Sequence, residues 1–191
     1  MEADWEFEIG GDAPVMEPCW AGFVDLRTAP DRVREIIEAQ QLPGLAEALV
    51  RLNAEGSPFW TSKCDVFRPE EIDADELEAQ ADETVHRVAC YIDLLPRSDH
   101  VWNLPLKAER ACKQLCTRLR GILLRCCRVD LVIRRAVVGD RNDLGATAYL
   151  TACGRTELEA RARLGECLAA SAEIAGAVPE GSREGRTGAR K

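Results

Sequence analysis

Trp5, Phe7 and Ile9 alternate with polar neighbours before Gly10-Gly11 and Pro14, a period of two that predicts a short first strand ended by a loop. The compact run WAGFVDL at 20–26, aromatic and β-branched, reads as a buried strand. Pro30 then suits a first helical turn. Val33, Ile36, Ile37 and Gln40 carry the helical pattern to a break at Pro43-Gly44, and Leu45, Leu49 and Leu52 resume it as far as Gly56. SPFWTSKCDVF at 57–67 predicts the next strand, and the acidic stretch after it an exposed, weakly helical connection.

The second half repeats the alternation. VACYIDLL at 88–95 predicts a strand. Pro105 opens a helix on which Ala108, Cys112, Leu115, Leu119 and Ile122 form one stripe. CCRVDLVIRRAVV predicts a long strand, GDRND a turn and LGATAYLTAC its hairpin partner. A last helix from Thr156 to about Ala175 buries Ala160, Leu164, Cys167, Leu168, Ser171 and Ala175, with Thr156 and Glu159 spaced as a capping box.

WAGFVDLRTAPDRV and VACYIDLLPRSDHV share a small residue, an aromatic, a β-branched residue, Asp and Leu ahead of a polar loop, and KCDVF answers CRVDLV. The pattern therefore predicts an α+β fold: a ferredoxin-like β-α-β-β-α-β unit from an internal duplication, extended by a C-terminal β-hairpin strand and helix. The expected organisation is an N-terminal strand and loop at 1–19 and a single domain at 20–176. Within that domain lie repeat 1 at about 20–67, an acidic connection at 69–85, repeat 2 at about 88–138 and an extension at 144–176. The glycine- and charge-rich remainder, 177–191, is expected to be a disordered tail.

Charge sharpens this picture. The net charge is -8, yet residues 69–85 hold eight acids and no base, while 107–141 hold ten bases against Glu109, Asp130 and Asp140. Segregation of this kind predicts that the two stretches balance one another in space. No apolar run is long enough to span a bilayer and the N-terminus is acidic, so neither a membrane segment nor a secretory signal is expected, and the predicted location is cytoplasmic. The nine cysteines, odd in number and set mostly in apolar runs, read as reduced core residues; no CxxC pair favours zinc, and no metal site or cofactor is assigned.

On the predicted sheet, alternation sends Val24, Leu26, Ile92 and Leu94 toward the helices. It leaves Phe23, Asp25, Tyr91 and Asp93 on the opposite, open face, joined by Lys63 and Asp65 on one flank and Asp130 and Arg134 on the other. This suggests a small acidic binding protein that uses the open face or an edge strand for a protein partner or for self-association. Paired aspartates also fit a carboxylate-dependent enzyme, with or without the assistance of a divalent cation. The basic helix at 107–120 fits an anion-binding module. Nucleic acid is a less favoured partner, because the aspartates beside the rings would repel phosphate and the signature of RNA-recognition modules is missing. His86 and His100 stand beside no nucleophile motif, and no Walker loop, GxGxxG or HExxH occurs, so no catalytic residue is assigned.

Overall fold

The computed structural model describes residues 1–97, 102 and 104–177. Its strands are β1 (Glu2–Glu8), β2 (Val15–Met16), β3 (Phe59–Phe67), β4 (His86–Pro96), β5 (Cys127–Val138) and β6 (Arg141–Gly154). Its helices are α1 (Ile37–Gln41), α2 (Leu45–Asn53), α3 (Pro105–Arg120) and α4 (Glu157–Gly176). All six strands join one sheet in the order β1-β5-β6-β4-β3, with β2 continuing beside β5. β1 and β2 run parallel to β5, and the other pairings are antiparallel.

One face of this sheet carries the core. Ala3 on β1, Val129, Leu131 and Ile133 on β5, Ala146, Ala148, Leu150 and Ala152 on β6, and Cys90, Ile92 and Leu94 on β4 pack against Leu45, Leu49 and Leu52 of α2, Cys112, Leu115 and Leu119 of α3, and Leu164, Cys167 and Leu168 of α4. The predicted stripes on α3 and α4 are the buried ones, except that Ile122 lies beyond α3 and it and Ser171 are half-buried. Thr156 caps α4 by accepting a hydrogen bond from the Glu159 amide at 3.1 Å. Pro43-Gly44 breaks the first helical stretch as expected, with Gly44 left-handed at φ 82°.

Two expectations are corrected. Residues 20–26 form turns rather than a strand, because Gly22 is left-handed at φ 99° and Asp25 satisfies the local backbone through a turn closed by Ala29. The first repeat therefore lacks its opening strand, and the sheet order is not that of the ferredoxin-like unit. In addition β6, expected at a sheet edge, lies in the middle, hydrogen-bonded to β5 and β4 on its two sides. A two-residue turn at Gly139-Asp140, with Gly139 left-handed, folds β6 back on β5, and its small residues Gly145, Ala146, Ala148 and Ala152 suit a central strand lying under helices.

The acidic connection is less exposed than its composition implies. Leu77 and Glu83 are buried. Glu83 accepts hydrogen bonds from the Gln80 amide, Arg125 and Arg163 at 3.1, 3.3 and 3.0 Å, while Glu76 pairs with Arg128 and Asp82 with Arg155. Two of these arginines, Arg125 and Arg128, come from the basic stretch, so the segregated charges meet. The expected tail lies outside the described residues from 178 onward.

The Gln80 amide, followed by Arg163 and Arg125, holds the Glu83 carboxyl down to about 2. A depressed carboxyl stabilises the fold above the ordinary carboxylate range, and that contribution is lost as pH falls toward about 2. Glu83→Gln should therefore cost roughly 2–3 kcal/mol near neutral pH, somewhat less than a fully buried pair because Arg125 is largely exposed. Urea unfolding should show this cost shrinking in acid. At the contact of the α2 entry with α4, a Cβ on Gly165 would lie 2.9 Å from the Pro43 carbonyl oxygen. Gly165→Ala should destabilise by about 1–2 kcal/mol in the same measurement, although alanine is the better helix former; a gain in stability would contradict the close approach.

Candidate functional site

Alternation along the paired strands writes the open face as cross-strand rows. One row runs through Asp4, Asp130, Tyr149, Tyr91 and Asp65, crossing all five long strands in register. The next runs through Glu6, Val132, Thr147 and Asp93. A bulge in β3 between Thr61 and Cys64 sets both Ser62 and Lys63 opposite Asp93. Further rows hold Glu2, Arg128, Thr151, Ala89 and Phe67 on one side and Glu8 with Arg134 on the other. Among the residues predicted for this face, the sheet thus brings together Lys63, Asp65, Tyr91, Asp93, Asp130 and Arg134.

Phe23 and Asp25 do not join them as strand residues. Phe23 lies in the loop, its ring centroid 6.1 Å from that of Trp60, within a small cluster that also holds Met16, Leu95 and Ala136. Asp25 accepts hydrogen bonds from the Arg27 amide at 3.0 Å and its guanidinium at 2.8 and 2.7 Å. The Arg27 guanidinium in turn sits 4.0 Å from the Trp60 ring centroid. The Arg27 side chain holds the Asp25 carboxyl below its ordinary value. Asp25 is thus committed to Arg27 in the loop, whereas Asp93 stands on β4 opposite Thr147.

A polar chain crosses the floor of the open face. Arg134 donates to Glu8 at 2.7 Å, to the Thr147 hydroxyl at 2.9 Å and to the Tyr149 hydroxyl at 3.1 Å; Thr147 donates to Asp93 at 2.7 Å. The Tyr149 and Tyr91 ring centroids are 6.0 Å apart. Asp93 is only 8% exposed. Burial pushes its carboxyl up against the opposing pull of Thr147, Lys63 and Arg134, and burial followed by Asp93 and Asp65 pushes up the Tyr91 hydroxyl.

The ends of the face are covered and its middle is not. Met16 of β2 and Phe23 of the loop that follows it pack on Trp60 and Leu95 at one end. There Gly145 is required, since a Cβ would meet the Met16 sulfur at 2.8 Å and the Leu94 carbonyl oxygen at 2.9 Å. The acidic connection closes the other end, where Leu77 packs on Cys126 and Cys153 and Arg87 donates to the Pro69 carbonyl at 2.8 Å. Between them lies a hollow of about 490 Å³, lined by Asp4, Glu6, Glu8 and Asp130 together with Arg128, Arg134 and Tyr149. A separate void of about 30 Å³ beneath the sheet, between Leu52, Ile92, Leu150 and Ser171, is too small for an organic ligand.

The remaining candidates lie elsewhere. Seven of the nine free cysteines are buried, and burial raises the thiols of Cys64, Cys116 and Cys153 to about 12, which suppresses thiolate chemistry. Among the described residues no three His, Cys, Asp or Glu side chains converge as metal ligands would. On α3, Arg118 donates to the Ile174 carbonyl at the end of α4 and Arg120 pairs with Asp4 at 3.6 Å. His86 is on β4, and His100 lies outside the described residues.

Tyr149, Thr147, Glu8 and the other β1 acids were missed in the sequence. The acids were legible as the polar half of the alternation that marks β1. The β6 residues were hidden by the expectation that their strand lay at an edge. No family model, no curated protein and no solved structure matches the chain. Among the described residues no helix is long and apolar enough to cross a membrane.

Because burial raises the folded Asp93 carboxyl, its charged form opposes folding, and stability is gained as pH falls through the folded value toward the unfolded one. Asp93→Asn, which keeps an acceptor for Thr147, should raise the melting temperature near neutral pH by roughly 2–4 °C. Thermal unfolding across pH should show the gain fading in acid. A loss of stability at neutral pH would mean that Lys63 and Arg134 outweigh burial.

Proposed function

We propose that this chain is a binding protein whose recognition surface is the open face of its sheet. The observation that carries the reading is the row Asp4, Asp130, Tyr149, Tyr91, Asp65 with the hollow beside it, left uncovered between two segments that close the ends of the same face. A face built only to meet water has no use for two neighbouring half-buried tyrosines or for a carboxyl held at a cost to stability. Local departures of this kind mark functional surfaces, where stability is given up for recognition. Tyrosine also offers large contact area at low conformational cost, which suits it to binding surfaces.

Protein is the partner class that fits a shallow, mixed acidic and aromatic surface, and the acids that line the hollow disfavour nucleic acid. Free cysteines buried in the core suit a reducing compartment, so the reading places the protein in the cytoplasm. The rival reading, a carboxylate-dependent enzyme, loses its defining pair once Asp25 is held by Arg27 in the loop.

The test is selection of ligands from a displayed peptide library, followed by mapping of each ligand through amide chemical-shift changes. Selected ligands should perturb β4, β5 and β6 on the open face. Replacing both tyrosines by serine should weaken them by about 30-fold, as loss of a central anchor does, with thermal unfolding confirming that the chain still folds. Ligands that map to the helical layer and ignore the tyrosines would overturn the reading.

A further inference from the structure

The outer strand β1 is hydrogen-bonded to β5 on one side and packs on α3 below. Among the described residues no strand pairs with its other edge. Alternate residues of such an edge turn backbone donors and acceptors outward, the template on which an extended segment of another chain can add. Among the described residues, only the Asp4 carbonyl of this strand already accepts from α3, through Cys116 Sγ at 3.2 Å. The side chains that flank this edge divide cleanly. Glu2, Asp4, Glu6 and Glu8 all stand on the open face, while Trp5 and Phe7 stand on the helical side, packed edge to face with centroids 5.8 Å apart. Phe7 remains 36% exposed and Ile9, just beyond the strand, 40%.

These acids are only partly neutralised. Glu8 is held by Arg134, and Asp4 meets Arg120 at 3.6 Å between exposed side chains. Glu2 and Glu6 have no counterion among the described residues. A second copy of the chain added antiparallel on this edge would set acid against acid across the new ladder, which is destabilising. The edge therefore rejects itself and favours a strand of opposite charge.

We propose, as a deepening of the open-face reading on which it rests, that the partner is a protein segment in extended conformation that alternates basic and apolar residues and pairs with β1. Its lysines or arginines meet Glu2, Asp4, Glu6 and Glu8 above the sheet. Its apolar residues cover Phe7 and Ile9 on the other side. Tyr149 accommodates a guanidinium at this end of the face already, since Arg134 lies 5.6 Å from its ring centroid.

The experiment measures binding of a synthetic peptide alternating lysine or arginine with valine, by fluorescence anisotropy at low and moderate salt. The controls are a glutamate-for-basic version, a version with its basic and apolar residues in separate blocks, and one N-methylated at alternate amides. The alternating basic peptide should bind, weaken with salt, and lose most of its affinity on block rearrangement or N-methylation. The double variant Glu2→Lys, Glu6→Lys should lose on the order of tenfold affinity for it and gain affinity for the glutamate peptide. Equal binding by the double variant overturns the proposal, because the charge then acts from elsewhere, and loss of binding on Glu70→Lys, Glu71→Lys instead would assign it to the acidic connection. Library ligands that map to the open face but are acidic or uncharged overturn this proposal and leave the open-face reading standing. Absence of any open-face ligand overturns both.

Discussion

Every side chain of the open face is placed by one constraint, the pairing of β6 with β4 on one side and β5 on the other. An antiparallel strand hydrogen-bonded on both sides cannot slip by one residue without turning its apolar set to the wrong face. Ala146, Ala148, Leu150 and Ala152 are held beneath the helices, and Gly145, Thr147, Tyr149 and Thr151 are thereby committed to the other side. Through the ladder the same parity passes to Tyr91 and Asp93 on β4 and to Asp130 and Arg134 on β5, and from β5 through the parallel pairing to the acids of β1. The functional reading is thus a consequence of register.

What the ladder does not set, the two covering segments do. Both are mostly irregular apart from the short β2, and both are tied down by charge as much as by apolar contact. The loop after β1 lays Phe23 and Met16 on Trp60 and is closed by Asp25 and Arg27. The acidic connection lays Leu77 on two cysteines and is held by Glu83 between Arg125, just before β5, and Arg163 of α4. A buried carboxylate with several donors is strongly dependent on each of them, so this segment is kept in one position rather than spread over many. The hollow between the two covers is bounded by elements that are themselves anchored.

Much of this was legible in the sequence, and the failures have physical causes. The parity of Tyr91, Asp93, Asp130 and Arg134 followed from apolar alternation alone, because their strands are long and buried on one side. Residues 20–26 misled because apolar content was taken for a ladder. A left-handed glycine and an aspartate that closes its own turn let the same residues serve as plugs, Phe23 above the sheet and Leu26 in the main core. The β3 bulge has no sequence signature, yet it reverses the parity of the strand's first residues, so that Phe59 lies under the helices and Trp60 on the open side. The central place of β6 depends on pairing between distant segments, which local pattern does not encode.

Tyr91 and Tyr149 are the only tyrosines in the chain, so solvent access to tyrosine rings is access to the centre of the open face. The most direct test of the account is nuclear relaxation of ring protons by a soluble paramagnetic probe in the free protein. Both tyrosines should relax strongly while the buried Trp60 and Trp102 stay protected. Tyrosine rings as shielded as those two tryptophans would show that the face is already covered, and the surface on which the functional reading stands would not be available.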